Sequence, residues 1–269
     1  MVPDATGLKL DPYLERIGYT GERRASLAGL DAIHLAHATS IPFENLDVLL
    51  GRPIHLDLHS LQQKLVAERR GGYCFEQNLL FAAGLVALGY LVTPLAARVM
   101  LNVERVLPRT HMALLVEVDG QQLLADVGFG AEGLLLPVPF VVSQPVKLLG
   151  RSYVIDQEVG RYVLRRLGGD AALSLYSFTL EPQLLVDYEV ASYFVSTHPD
   201  SIFTQLLIAQ RLSADVRYTL RNQDLTVNEL GTVTTRTLAD DDELLAVLAS
   251  TFGLPFPAGT RFNYRRPAV

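Results

Sequence analysis

One cysteine, Cys74, stands among 269 residues, in the run Arg70-Gly71-Gly72-Tyr73-Cys74-Phe75-Glu76-Gln77-Asn78. A glycine pair running into an apolar helical pattern puts this thiol in the first turn of a helix. There the aligned peptide dipoles favour thiolate over thiol, which suits a nucleophile. The same position suits an inert core cysteine equally well, so the thiol needs partners before it implies chemistry. A nucleophilic sulfur requires a base within hydrogen-bond reach and a third group to orient that base. His111 opens an apolar run, 111–118, that meets Asp119-Gly120 and resumes as 121–126. Asp-Gly between two such runs is a strong hairpin pattern. With a two-residue turn, Val118 pairs with Gln121 and Asp126 falls opposite Ala113. Strand side chains alternate, so His111 and Ala113 share a face. Asp126 then projects from the face of His111, one diagonal step away, about 7–8 Å between backbone positions. A four-residue loop on the same dipeptide keeps this register, and a three-residue loop breaks it. Asp126 follows Leu123-Leu124-Ala125 and precedes Val127. It is therefore expected to be at least partly buried, where a carboxylate is costly unless paired. An imidazolium at His111 would supply the partner. Capping the turn Gly128-Phe129-Gly130 is the competing role.

The elements that must carry these groups follow from periodicity and breakers. Asp11-Pro12 predicts a helix start, with Asp11 as N-cap and Gly18 as stop. A second helix is expected over 26–38, with Leu27, Leu30, His34 and His37 on one face, ending at Pro42-Phe43-Glu44-Asn45. A third begins at Asp57 or Leu58 and ends near Arg70, and a fourth carries Cys74 and runs to Leu88. Residues 77–97 hold no charge and approach the length of a bilayer span, but Gly84, Gly89, Tyr90 and Pro94 interrupt them. A helix ending at Gly89 and a buried strand over 92–99 fit better. Strands are expected at 111–118, 121–126, 153–156, 162–167 and 173–180. Residues 184–197 fit a helix or an extended crossover. Further strands are expected at 201–208, 216–220, 224–229 and 232–238, then an amphipathic helix over 240–252 stopped by Gly253. Helices first, strands next and mixed elements last indicate an α+β fold. No internal repeat and no glycine-rich phosphate loop is present.

Composition narrows the class. Lys and Arg number 23 against 29 Asp and Glu, a net charge of −6, which argues against a nucleic-acid binder. One cysteine excludes an internal disulfide, and a free thiol fits a reducing cytoplasm. The first eleven residues contain no long apolar run, so no signal peptide is expected. His34 with His37, and His55 with His59, have spacings compatible with a metal, but neither cysteine nor a dense acidic cluster accompanies them. They are expected to be surface or capping histidines, and no metal is assigned. Glu44 and Arg70 are expected to form a buried pair supporting the thiol loop. Arg261, Arg265 and Arg266 could meet phosphates, although a solvated tail is the expectation.

The thiol motif 70–78, the Thr110-His111 strand start and Asp126-Val127-Gly128-Phe129-Gly130 together resemble the arylamine N-acetyltransferases. The resemblance extends to Tyr13-Leu14-Glu15-Arg16-Ile17-Gly18-Tyr19 and Ile41-Pro42-Phe43-Glu44-Asn45-Leu46-Asp47. It continues through Ser196-Thr197-His198-Pro199-Asp200-Ser201-Ile202-Phe203, Arg236-Thr237-Leu238 and Phe252-Gly253-Leu254. Residues 136–166 and the tail after Pro255 match only loosely. The resemblance implies an α+β fold with a cysteine-protease- or transglutaminase-like core in three segments. These are an N-terminal helical bundle over 1–88, a central antiparallel β-barrel over 89–198 and a C-terminal α/β lid over 199–269. It implies Cys74, His111 and Asp126 as catalytic triad, acetyl-CoA as donor co-substrate, and an arylamine or arylhydrazine as acceptor. It places Phe43, Val99, Thr110, Phe129 and Phe203 at the acceptor, and Gly128, Phe129 and Gly130 beside the cofactor. Transfer would be ping-pong, through an acetyl-cysteine. Three other functions fit the same residues. They are a hydrolase or transglutaminase-like enzyme, an amide synthase whose acceptor amine is tethered in its substrate, and a binding module with an inert Cys74.

Overall fold

The computed structural model describes residues 5–101, 105–168 and 171–265. The chain begins with α1 (Leu10–Ile17), α2 (Leu27–Ser40), the two-residue strand β1 (Phe43–Glu44) and the short α3 (Leu46–Leu49). Next come α4 (Leu58–Leu61), which runs on as a π-helical segment (Gln62–Ala67), and α5 (Cys74–Ala87). The strands β2 (Leu91–Val99), β3 (His111–Val118), β4 (Gln121–Ala125), β5 (Val138–Pro139) and β6 (Val146–Leu148) follow. Then come β7 (Arg151–Glu158), β8 (Arg161–Leu167) and β9 (Leu173–Pro182). The remainder is α6 (Leu185–Thr197), α7 (Ile202–Gln205), β10 (Ile208–Leu212), β11 (Val216–Arg221), β12 (Asp224–Glu229), β13 (Thr232–Thr237) and α8 (Asp241–Phe252).

Among the described residues the strands form two antiparallel sheets. One is eight-stranded, ordered β5-β4-β3-β2-β9-β8-β7-β6 and nearly closed into a barrel; the other is ordered β1-β10-β11-β12-β13. Alternation along β3 explains how the first sheet is buried on both faces. Ala113 and Leu115 point into the barrel with Leu95, Ala97 and Leu124. Met112, Leu114 and Val116 point the other way, against Phe75, Leu80 and Phe81 of the helices. The uncharged stretch 77–97 is thus buried helix and buried strand, and among the described residues no helix is long and apolar enough to cross a membrane. The second sheet takes β1 from the N-terminal part, with Phe43 opposite Gln210 and Glu44 opposite Ala209. Its core includes Leu207, Ala209, Leu220, Leu248 and Phe252.

Helix ends obey local chemistry. Ser26 caps α2 by accepting from the Gly29 amide, Asp57 caps α4 by accepting from Ser60, and Asp240 caps α8. Gly18 and Gly253 close α1 and α8 in the left-handed conformation, at φ of 71° and 69°. The structure corrects four expectations. α1 starts at Leu10, so Asp11 lies inside its first turn and is not its cap. The segment 201–208 opens with the helical turn α7 and reaches a strand only at Ile208, because Ser201 accepts from the Phe203 amide and starts that turn. In the tail after Pro255, Arg261 and Arg265 are exposed as expected, but Phe262 and Tyr264 between them are buried, and Arg261 pairs with Asp241 at 3.0 Å. The Arg265 amide donates to the Gln205 carbonyl at 2.8 Å; Arg266 lies outside the described residues. Finally, His34 and His37 are wholly buried, whereas His55 and His59 are exposed.

Candidate active site

The hairpin register is the one that the Asp119-Gly120 turn predicts. Val118 pairs with Gln121, and the ladder runs to Leu114 opposite Ala125. Asp126, one residue further, is fully buried and faces His111, whose Nε2–H donates to Asp126 Oδ2 at 2.7 Å. Burial pushes the His111 ring down, but the charge of Asp126 and its hydrogen bond, with a smaller part from Cys74, lift it to about 10. Burial would raise the Asp126 carboxyl, yet His111, Asn78 and the Gly128 amide together hold it below the usual carboxylate range. The two candidate roles for Asp126 are therefore both filled. Oδ2 takes the imidazole, while Oδ1 accepts from the Gly128 amide at 2.9 Å and from Asn78 Nδ2 at 3.0 Å.

Cys74 is the first residue of α5 and is nearly buried. Its thiol donates to the carbonyl of Thr110, the residue before His111, at 3.6 Å. Glu76, two residues on, accepts from the Tyr73 amide at 3.0 Å and fixes the start of the helix. Behind this turn lies a buried ionic cluster. Arg70 donates to Glu44 at 2.7 Å, and Lys64 Nζ sits 2.7 Å from Glu76 and 2.8 Å from Asp47. Gly128 presses the loop after Asp126 onto this helix end: a Cβ there would lie 2.7 Å from both Cys74 Cα and Asn78 Nδ2.

Each residue expected at the acceptor or cofactor has a definite place. The Phe129 ring centroid is 5.1 Å from that of His111. Val99 lies opposite Tyr176, whose ring is 5.0 Å from His111. Phe43 and Phe203 meet at a tilt with ring centroids 5.9 Å apart, and Phe203 is 6.0 Å from Tyr73, next to the thiol in the chain. Gly130 takes a φ of 83°, and a Cβ on it would collide with Gln210 of β10. No group of three or more His, Cys, Asp or Glu side chains among the described residues could hold a metal ion.

A model of the N-acetyltransferase family matches residues 26–260. An arylamine N-acetyltransferase of Escherichia coli (strain K12) is 40% identical over 91% of this chain and 88% of its own. The chain belongs to the arylamine N-acetyltransferase family. Solved structures agree with that membership. The arylamine N-acetyltransferase of Nocardia farcinica superposes with a TM-score of 0.89 at 39% identity, covering 95% of this chain and 92% of its own. That of Mycobacterium marinum, solved with CoA, gives 0.87 at 34% identity, covering 91% and 93%.

For an acetyltransferase, the residues that hold the buried carboxylate matter as much as the carboxylate, and these were not legible beforehand. Asn78, one turn after Cys74, bonds Asp126, the Met112 carbonyl and the Val127 amide at 3.0, 2.8 and 3.1 Å. His34 accepts from the Asp126 amide through Nε2 and donates from Nδ1 to the Leu135 carbonyl, both at 3.1 Å. His37 accepts from the Tyr13 hydroxyl at 2.9 Å and donates to Gln77 at 3.2 Å; Gln77 in turn holds the Pro42 and Gly72 carbonyls. One signal was available: Glu76-Gln77-Asn78 are three polar residues in an otherwise apolar helix, and buried polar groups need partners.

Proposed function

We propose that the chain transfers the acetyl group of acetyl-CoA to an arylamine or arylhydrazine through an acetyl-Cys74 intermediate. The observation that carries this reading is the buried 2.7 Å bond between His111 and Asp126, with the Cys74 sulfur 3.6 Å from the carbonyl of Thr110, the residue before His111. The scheme calls for Cys74 to react as thiolate beside a protonated His111. Sulfur attacks the thioester carbonyl, the tetrahedral intermediate collapses, and the departing CoA thiolate takes the proton from His111. The acceptor nitrogen then attacks acetyl-Cys74, His111 accepts the proton that nitrogen loses, and the thiolate leaves. Asp126 keeps the ring oriented and stabilises its charged form throughout. Arylamines suit this base because they are already unprotonated at neutral pH. Phe43, Val99, Thr110, Phe129 and Phe203 are proposed to line the acceptor site, with Gly128, Phe129 and Gly130 beside the donor.

Mass spectrometry after acetyl-CoA alone tests the scheme. One added acetyl group, absent from Cys74→Ala and lost on adding an arylamine, is expected. No adduct, together with intersecting initial-rate lines when both substrates vary, would sink the acetyl-enzyme. Hydrolysis of acetyl-CoA unchanged by added amine would indicate the hydrolase instead.

A further inference from the structure

We propose that the outer face of the β2–β9–β8 sheet carries a binding site for a phosphate-type oxyanion, on the reverse of the strands that flank His111. Arg98 lies directly opposite Ser177 across β2 and β9, and Ser177 opposite Val163 on β8. Alternation sends these side chains away from the barrel interior, which holds Ala97 and Phe178. A cavity of about 330 Å³ opens on that face, and Arg98, Arg109, Arg161, Ser177 and Thr179 are among its lining residues.

The cationic groups there are unequally satisfied. Arg161 is held by Glu158 through contacts of 2.8 and 2.5 Å. Arg109 approaches Glu181 only at 3.6 Å, with both side chains largely exposed. Arg98 has no ion pair among the described residues. The Thr179 hydroxyl is buried and has no hydrogen-bond partner among the described residues, in contrast to most buried polar groups. Two guanidinium groups with capacity to spare and an orphaned hydroxyl thus converge on one small cavity. Guanidinium forks match the oxygens of phosphate, and a threonine hydroxyl can donate one more bond. Arg109 adjoins Thr110, whose carbonyl contacts the Cys74 sulfur, so the cavity begins close to the site of acyl transfer. Two sources carry this chemistry: the phosphates of the proposed donor, and a free phosphate or pyrophosphate.

Calorimetric titration with pyrophosphate tests the site without any turnover, and so independently of the proposed function. Arg98→Gln and Thr179→Val are each expected to weaken pyrophosphate binding tenfold or more. Kinetics with acetyl-CoA and with the short donor S-acetyl-N-acetylcysteamine then distinguish the sources. If the site holds the donor's phosphates, Arg98→Gln lowers kcat/KM for acetyl-CoA by a similar factor and leaves the short donor unchanged, which also shows the variant folded. If the ligand is a separate phosphate, both donors react as in wild type while pyrophosphate binding is lost. Wild-type protein that binds no pyrophosphate, or both variants binding it as wild type does, overturns the site.

Discussion

Asp126 does two jobs with its two oxygens, and a substitution can separate them. Asp126→Asn keeps much of the shape but presents an uncharged group to His111, losing the charge that holds the ring as imidazolium. A triad with its carboxylate replaced by an amide loses on the order of 10⁴-fold in kcat elsewhere; here a fall of roughly 10³–10⁴-fold is expected. Alkylation of Cys74 by iodoacetamide near neutral pH should slow as well. An unchanged pH profile of alkylation would remove the orienting role. The buried histidines make stability depend on pH from both sides. Burial holds His34 at about 4 and His37 at about 3, against 6.5 for the free side chain. Their neutral forms therefore contribute stability above about 6.5 that is lost as pH falls toward those values. His111 is raised to about 10, so its charged form contributes fully below 6.5 and that contribution is lost as pH rises through about 10. On account of these three groups, urea unfolding should show greatest stability near pH 6.5, declining as pH falls toward about 4 and as it rises toward about 10. Equal stability at about pH 5 and about pH 7.5 would contradict the buried neutral histidines.

At the scale of elements, the site is a junction between the first turn of α5 and the loop that leaves β4. Two residues make that junction, one by its bonds and one by having no side chain. Asn78 ties the helix to Asp126 and to the Val127 amide, so Asn78→Ala strips partners from buried groups. A loss of about 1–3 kcal/mol in unfolding free energy is expected, with a larger relative loss in kcat than in stability. Gly128→Ala inserts a methyl 2.7 Å from the Cys74 backbone. Such overpacking costs about 1–3 kcal/mol, and it should move the sulfur off His111, slowing acetylation of Cys74 in a single turnover. Wild-type acetylation rates in Gly128→Ala would mean that the loop can retreat without consequence. From the other side, Gln210 accepts from the Ala131 amide at 2.9 Å and Arg217 donates to the Gly133 carbonyl at 3.1 Å. The loop carrying Phe129 is thus gripped by the second sheet.

Across the whole molecule, the N-terminal and C-terminal parts are stitched together beside the thiol. β1 joins the C-terminal sheet, and Asn45 bonds the Phe203 and Leu206 carbonyls at 2.8 Å each. The Glu44–Arg70 pair lies at this seam, with Glu44 fully buried and Arg70 nearly so. Arg70 also sits 4.7 Å over the Phe256 ring of the C-terminal tail. Glu44→Gln leaves that guanidinium buried beside a neutral partner, although Asp47 at 3.2 Å retains part of the compensation. A loss of about 3 kcal/mol is expected, near the lower end for breaking a buried pair. Unfolding stability equal to wild type would show that Asp47 alone suffices.

Local chemistry in the sequence was enough for the helix stops at Gly18 and Gly253, though not for the start of α1, and for the 118–121 turn and therefore the side of the hairpin from which Asp126 points. Those features depend on a few adjacent residues and on strict alternation, so they survive without knowledge of the fold. The position of Cys74 relative to that hairpin did not follow from spacing, since 37 residues of chain from Cys74 to His111 permit any separation; family resemblance supplied the expectation. Burial of His34 and His37 was likewise illegible, because a histidine on a helix is equally at home in water until a particular carbonyl or amide meets it. The tail after Pro255 was half legible for the same reason: its exposed arginines read as solvated, while Phe262 and Tyr264 pack into a core built by residues far away in the chain. Tertiary packing decided these points because each depends on which distant surface supplies the missing partner.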